Sequence, residues 1–102
     1  MSELKKLEAE IRAFADARNW EIFHTPKNLS MAIAGEAGEL VSEFQWLTAE
    51  ESKLENLTDE KLNDIAMEIA DVAIYLVRLV DVLKLDLAAV MREKIEINQS
   101  RF

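Results

Sequence analysis

The stretch from Ala32 to Trp46, "AIAGEAGELVSEFQW", decides how this chain folds, because its apolar and acidic residues recur at helical rather than strand spacing. At roughly 100° per residue, Leu29, Ile33, Leu40, Phe44 and Leu47 fall within an arc about 60° wide, which makes one buried face. Glu36, Glu43, Glu39 and Trp46 follow in that order along one flank of it. An ionised carboxylate taken out of water without a partner costs several kcal/mol. Any one of these acids taken alone reads as a solvated helix flank, but a row of three on the shoulder of the core calls for a cation that the neighbouring residues do not supply.

On the N-terminal side, Leu4, Leu7, Ile11, Phe14 and Ala15 recur at three and four, which predicts an amphipathic helix from Leu4 to about Arg18 capped by Ser2. "NWEIFHTP" interrupts it. Pro26 suits a first helical turn, so a second helix is expected from Lys27 to about Leu47. The polar segment "TAEESKLENLTDE" reads as a connector with Thr48 as a local cap and one loose helical turn. Thr58, followed by Asp59 and Glu60, marks the cap and acidic first turn of a third helix. Leu62, Ile65, Ile69, Val72, Leu76, Leu79, Val80 and Leu83 give that helix one apolar face to about Leu83. It is long for a chain of this size and is expected to overhang its own domain and seek a second copy. A fourth helix should start at Asp86, turn Leu87, Val90, Met91 and Ile95 inward, and fray near Asn98.

The sum is an all-α, four-helix, bundle-like single domain over residues 1–102. There is no cysteine, which removes disulfides, thiolate zinc sites and cysteine nucleophiles together. Twenty acidic against twelve basic side chains leave a formal charge of −8, so a nucleic-acid polymer is repelled and a small polyanion would need a cation to bind. Two glycines and one proline leave no room for a phosphate-cradling glycine-rich loop. No apolar run approaches the roughly 20 residues of a membrane span, and "MSELKKLEAEIRAF" lacks the apolar stretch of a signal peptide. A cytoplasmic protein that binds no membrane is the expectation.

The third helix carries acids of its own. The same projection sets Glu68, Tyr75, Asp64 and Asp71 beside the arc of Ile65, Ile69, Val72 and Leu76. Glu36 with Glu39 and Glu68 with Asp71 are each spaced i, i+3, which puts both members on one side of a helix. Packed antiparallel, the two helices can bring the pairs together. Converging carboxylates repel unless a cation neutralises them, and an all-oxygen set selects hard ions such as Mg²⁺, with Mn²⁺ as a substitute. A carboxylate-bridged di-iron bundle is the nearest competitor, but its Glu-x-x-His motifs are absent.

The pattern E-x2-E-x28-E-x2-D formed by Glu36, Glu39, Glu68 and Asp71 resembles the metal-binding signature of the all-α nucleotide pyrophosphohydrolases, the MazG-like and dUTPase-related superfamily. "RNWEIFHTPKNLSMAIAGEAGELVSEFQW", "EIADVAIYLVRL" and "KIEINQSRF" are similar in sequence and order to stretches of its dCTP pyrophosphatase and short MazG-like branch. The resemblance spans most of the chain from Arg18 to Phe102. It implies hydrolysis of a nucleoside triphosphate, with a deoxynucleotide as the expected substrate, to the monophosphate and pyrophosphate in the service of nucleotide-pool house-cleaning. The four acids would hold Mg²⁺, and Glu39 would position or deprotonate the attacking water. Trp20, His24, Asn28, Trp46, Tyr75, Lys94 and Asn98 are the matched positions for a base and phosphate pocket. Trp20 could equally plug the core, and His24 could merely close its loop. A homodimer or homotetramer is implied as well. The rival reading is a non-catalytic acidic helical dimer acting as a regulator or antitoxin-like partner.

Overall fold

The computed structural model describes residues 1–102 as four α-helices with no strand: α1 (Glu3–Ala17), α2 (Pro26–Ser42), α3 (Asp59–Val82) and α4 (Leu87–Arg101). Each begins on a side-chain cap that satisfies an otherwise orphaned N–H. Ser2 accepts from the Lys5 N–H at 3.2 Å, Thr25 from Asn28 at 3.2 Å, Thr58 from Lys61 at 3.1 Å and Asp86 from Ala89 at 3.0 Å. The α2–α3 connector is held by a reciprocal pair. Thr48 Oγ1 accepts from the Glu51 N–H at 3.1 Å, and Glu51 Oε1 accepts from the Thr48 N–H at 2.8 Å. One short 3₁₀ turn at Leu54–Asn56 is the loose turn expected there.

Helices α2 and α3 form the main packing unit, with α1 laid against α3. Their partners run in opposite order: Glu43 meets Lys61, Glu36 lies beside Glu68 and Asp71, and His24, just ahead of α2, meets Arg78. The two helices are therefore antiparallel. Ala15, Leu29, Ile65, Val77 and Val80 make the fully buried core, flanked by the half-buried Ile33, Leu40, Phe44 and Leu47 of the expected α2 face.

Three sequence expectations are corrected. Helix α2 ends at Ser42, five residues early, and the chain continues through tight turns in which the Glu43 and Phe44 N–H groups bond to the carbonyls of Leu40 and Val41. Lys61 pins Glu43 there at 3.0 Å. Helix α4 does not fray at Asn98 but runs to Arg101. Its apolar side chains do not point into a core either: Val90, Met91 and Ile95 are exposed, because α4 makes only marginal contact with the rest of its chain. Ile69 and Leu76 of α3 are likewise uncovered.

The molecule is correspondingly open. Its Cα radius of gyration is 16.2 Å, against about 13 Å for a compact chain of this length. Its accessible surface is 7608 Å², and a compact monomer of 11.7 kDa would expose about 5,900 Å². No helix is long and apolar enough to cross a membrane.

Candidate active site

Antiparallel pairing brings Glu36 from the middle of α2 against Glu68 and Asp71 from the middle of α3, so that one carboxylate oxygen from each lies within 4.8 Å of the others. Glu68 titrates above its ordinary value. Loss of solvent is the first cause, and the charges of Asp71, Glu39, Glu36 and Glu43 add to it. Five acids thus share one field, and Lys61 is tied to one of them, Glu43. The triad has the chemistry of a divalent-cation site: all oxygen, mutually repelling, and with the Glu68 pKa raised by loss of solvent and by its neighbours' charges.

Beside the triad opens a cavity of about 210 Å³ lined by Ile11, Phe14, Trp20, His24, Glu36, Asp71, Ile74, Tyr75 and Arg78, with Ala15 at its base. Its aromatic wall is built locally. Arg18 closes α1, Asn19 takes the left-handed conformation at φ 55°, which asparagine tolerates, and the chain reverses so that Trp20 meets Phe14 edge-on at 5.6 Å. His24 tilts against Trp20 at 6.0 Å, and the Arg18 guanidinium lies 3.6 Å from the Phe14 ring centre. The far wall is α3, where Asp71, Ile74, Tyr75 and Arg78 follow at steps of three, one and three residues.

Arg78 is buried, and its Nε donates to His24 Nδ1 at 3.0 Å. Burial, with the Arg78 charge second, pushes the His24 imidazole below its ordinary pKa against the pull of Glu21. Arg78 also reaches the buried Asp81 at 3.4 Å, and Arg12 of α1 grips Asp81 through two bonds of 2.8 and 2.9 Å. Hydrogen bonding by Arg12 leads the causes that hold Asp81 below the usual carboxylate range.

A pyrophosphatase from Archaeoglobus fulgidus has a solved structure that superimposes on this chain with a TM-score of 0.91 at 34% identity, covering 100% of this chain and 94% of that one. The chain belongs to the family of this pyrophosphatase. The human protein named dCTP pyrophosphatase 1 is 37% identical over 102 residues, and its Bos taurus counterpart 35%. Both matches cover all of this chain but only 58% and 59% of those proteins, so the chain spans less than two thirds of the relatives' length. No protein-family model matches the chain.

Against the family pattern, the fold unites Glu36, Glu68, Asp71, Trp20, His24 and Tyr75 around one cleft. Glu39 lies one turn beyond Glu36, exposed and outside the close triad, though its charge acts on Glu68. Asn28 serves its own loop, donating from Nδ2 to the Phe23 carbonyl at 3.0 Å. Trp46 is 87% exposed beyond the end of α2, and Lys94 and Asn98 sit on the detached α4; none of the three lines the cavity. Sequence reasoning assigned Phe14 to the core and passed over Arg78. The available signal was a charged pair, Arg78 and Asp81 at i, i+3, inside the apolar run "YLVRLVDV".

Proposed function

We propose that the chain is a Mg²⁺-dependent nucleoside triphosphate pyrophosphohydrolase, with Mn²⁺ as a substitute ion, acting on deoxynucleotides in a house-cleaning role and working as one unit over residues 1–102. One observation carries this reading: the carboxylate triad and the aromatic cavity share Glu36 and Asp71, so a cation and a base would be held side by side. Three carboxylates held within 4.8 Å of one another have no purpose in the non-catalytic alternative, whereas a divalent cation bound with a polyphosphate would give them one.

Glu36, Glu68 and Asp71 would hold the ion, with Glu39 joining as the fourth acid and as the base that orients the attacking water. A divalent cation bound there would polarise phosphoryl oxygens and lower the pKa of water. Trp20, Tyr75 and Phe14 offer faces for the base, and His24 a hydrogen-bonding edge. The −8 chain repels a free polyphosphate, so the triad is also what admits one.

The cavity, about 210 Å³, is smaller than the roughly 300 Å³ at which ordinary ligand pockets begin, so it has room for one end of a nucleotide. A second copy is proposed to complete it, in a homodimer or homotetramer. The excess exposed surface, about 1,700 Å² over a compact monomer, falls in the range that an obligate interface removes from each partner, roughly 1,000–2,500 Å². A Cβ added to Gly35 or Gly38 would meet nothing within 4 Å. Nothing inside the chain needs these helix-weakening residues, which suits close approach by another helix. Trp46, Lys94 and Asn98, displaced from their own chain's cavity, would serve that composite site. A cytoplasmic setting fits the cysteine-free, acidic composition. The direct test is product analysis: deoxynucleoside triphosphates with Mg²⁺ should yield monophosphate and pyrophosphate in equal amounts. Diphosphate with orthophosphate, or no turnover, would refute the reading.

A further inference from the structure

We propose that Arg78 is a positioning residue that fixes His24 as the Nε2–H tautomer, so that the pocket offers a hydrogen-bond donor to an acceptor on the nucleotide base. This deepens the nucleotide reading above and rests on it. Arginine has donors only, so the 3.0 Å bond from its Nε obliges Nδ1 of His24 to be the unprotonated nitrogen. In the neutral ring the proton is then on Nε2. Neutrality follows from the surroundings: burial and the Arg78 charge both disfavour imidazolium, with Glu21 alone opposing them.

The arginine is itself anchored. It lies in the α3 run whose neighbours Val77 and Val80 are core, a place where leucine or methionine would avoid burying a charge. Instead the chain carries a relay across two helices. Lys5 approaches Glu8 at 3.7 Å, Glu8 holds Arg12 at 3.3 Å, Arg12 grips Asp81, and Asp81 steadies Arg78 beside His24. Glu8, Asp81 and Arg78 are all buried. A relay that ends on one nitrogen of a cavity-lining imidazole orients that ring beyond what packing needs. His24 lines the cavity with its ring 6.0 Å from Trp20, which in turn meets Phe14, so the base contact is assigned to this aromatic wall and the phosphates to the cation that Glu36 and Asp71 would hold. Substitution of Arg78 should therefore alter base binding while leaving the chemical step nearly untouched.

His24 is the only histidine, so a long-range proton–nitrogen correlation spectrum of the whole protein, taken where imidazole is neutral, reports this ring alone. The expected result is a single tautomer with the proton on Nε2. A proton on Nδ1 in the wild-type protein overturns the proposal with no variant required. Deoxycytidine and inorganic pyrophosphate serve as separate probes: a shift of the Nε2–H signal with the nucleoside supports a base contact, and a shift with pyrophosphate only refutes it. Arg78→Met should mix the tautomers and raise KM for a pyrimidine triphosphate roughly tenfold, about one hydrogen bond, with kcat within about twofold. Arg78→Lys, which keeps a donor, should restore the single tautomer and most of the affinity. In a His24→Gln background Arg78→Met should add almost nothing to KM; an undiminished effect there would make Arg78 merely structural. Absence of pyrophosphate release by the wild type would defeat the nucleotide reading, while the wild-type spectrum would still decide the tautomer.

Discussion

Replacing Arg12 with methionine removes the clamp that joins α1 to α3. Two charge-assisted bonds to Asp81 disappear, at 2.8 and 2.9 Å, while Asp81 stays buried with only the longer 3.4 Å contact to Arg78. Bonds to charged groups contribute about 1.5–3 kcal/mol each. The Arg12 side chain is 47% exposed, so solvent screens its share, and the expected loss is about 2–3 kcal/mol for the pair of bonds. For a domain of this size that lowers Tm by roughly 10–20 °C. The assay is thermal unfolding by circular dichroism at fixed protein concentration, repeated across the acid range. Asp81 is held below its unfolded pKa chiefly by the Arg12 hydrogen bonds, so the stability it contributes is present above the ordinary carboxylate value and is lost as pH falls through the folded one. The wild type should therefore lose an Arg12-dependent increment on acidification, and the Arg12→Met curve should be flatter. A variant that melts within about 2 °C of wild type at neutral pH would refute the view of the clamp as a main tie between α1 and α3.

Glu68 gives the opposite sign: its folded pKa is raised, so its protonation favours the folded, metal-free state, and that contribution is present at low pH and lost as pH rises through the folded value. With chelator present, Glu68→Gln should flatten this limb of the pH–stability curve; an unchanged slope would contradict a shared acidic field. Trp46→Ala should weaken nucleotide binding by about 1–3 kcal/mol if a base stacks on it in the assembled protein, with helical content unchanged; calorimetric titration showing equal affinity would place Trp46 outside the site. Dilution should lower both Tm and activity per chain, and Gly35→Ala with Gly38→Ala should strengthen α2 locally yet promote dissociation in sedimentation. A fully active monomer would contradict the composite site.

The helices were legible because their signals are local. Ser2, Thr58 and Asp86 cap where their sequence context says they should, and apolar spacing located the α2 face from Leu29 to Leu47. Both i, i+3 acid pairs were legible from helical periodicity, and antiparallel packing places Glu36, Glu68 and Asp71 together. What escaped depends on contacts between distant segments. The Arg12–Asp81 bond joins residues 69 positions apart, and no periodicity in either helix announces it. The end of α2 escaped because "EFQWL" contains no glycine or proline, and its turn is secured instead by Lys61, eighteen positions on. Periodicity showed which residues of α4 are apolar but not what covers them, and within one chain Val90, Met91, Ile95 and Ile97 stay exposed.

Metal-dependent stabilisation of the purified protein tests the central claim most directly, because a cation bound only to the folded triad must raise stability by mass action. At a hundredfold excess over the dissociation constant the gain is about 2.7 kcal/mol, which amounts to a rise in Tm of roughly 10–20 °C for a domain of this size. Mg²⁺ should produce that rise in the wild type. Glu36→Gln and Asp71→Asn should fold without metal at least as well as the wild type, show no rise with Mg²⁺, and release no pyrophosphate. A wild type indifferent to Mg²⁺ and Mn²⁺, or variants that respond to the metal and turn over as the wild type does, would contradict the assignment of Glu36, Glu68 and Asp71 as the metal site.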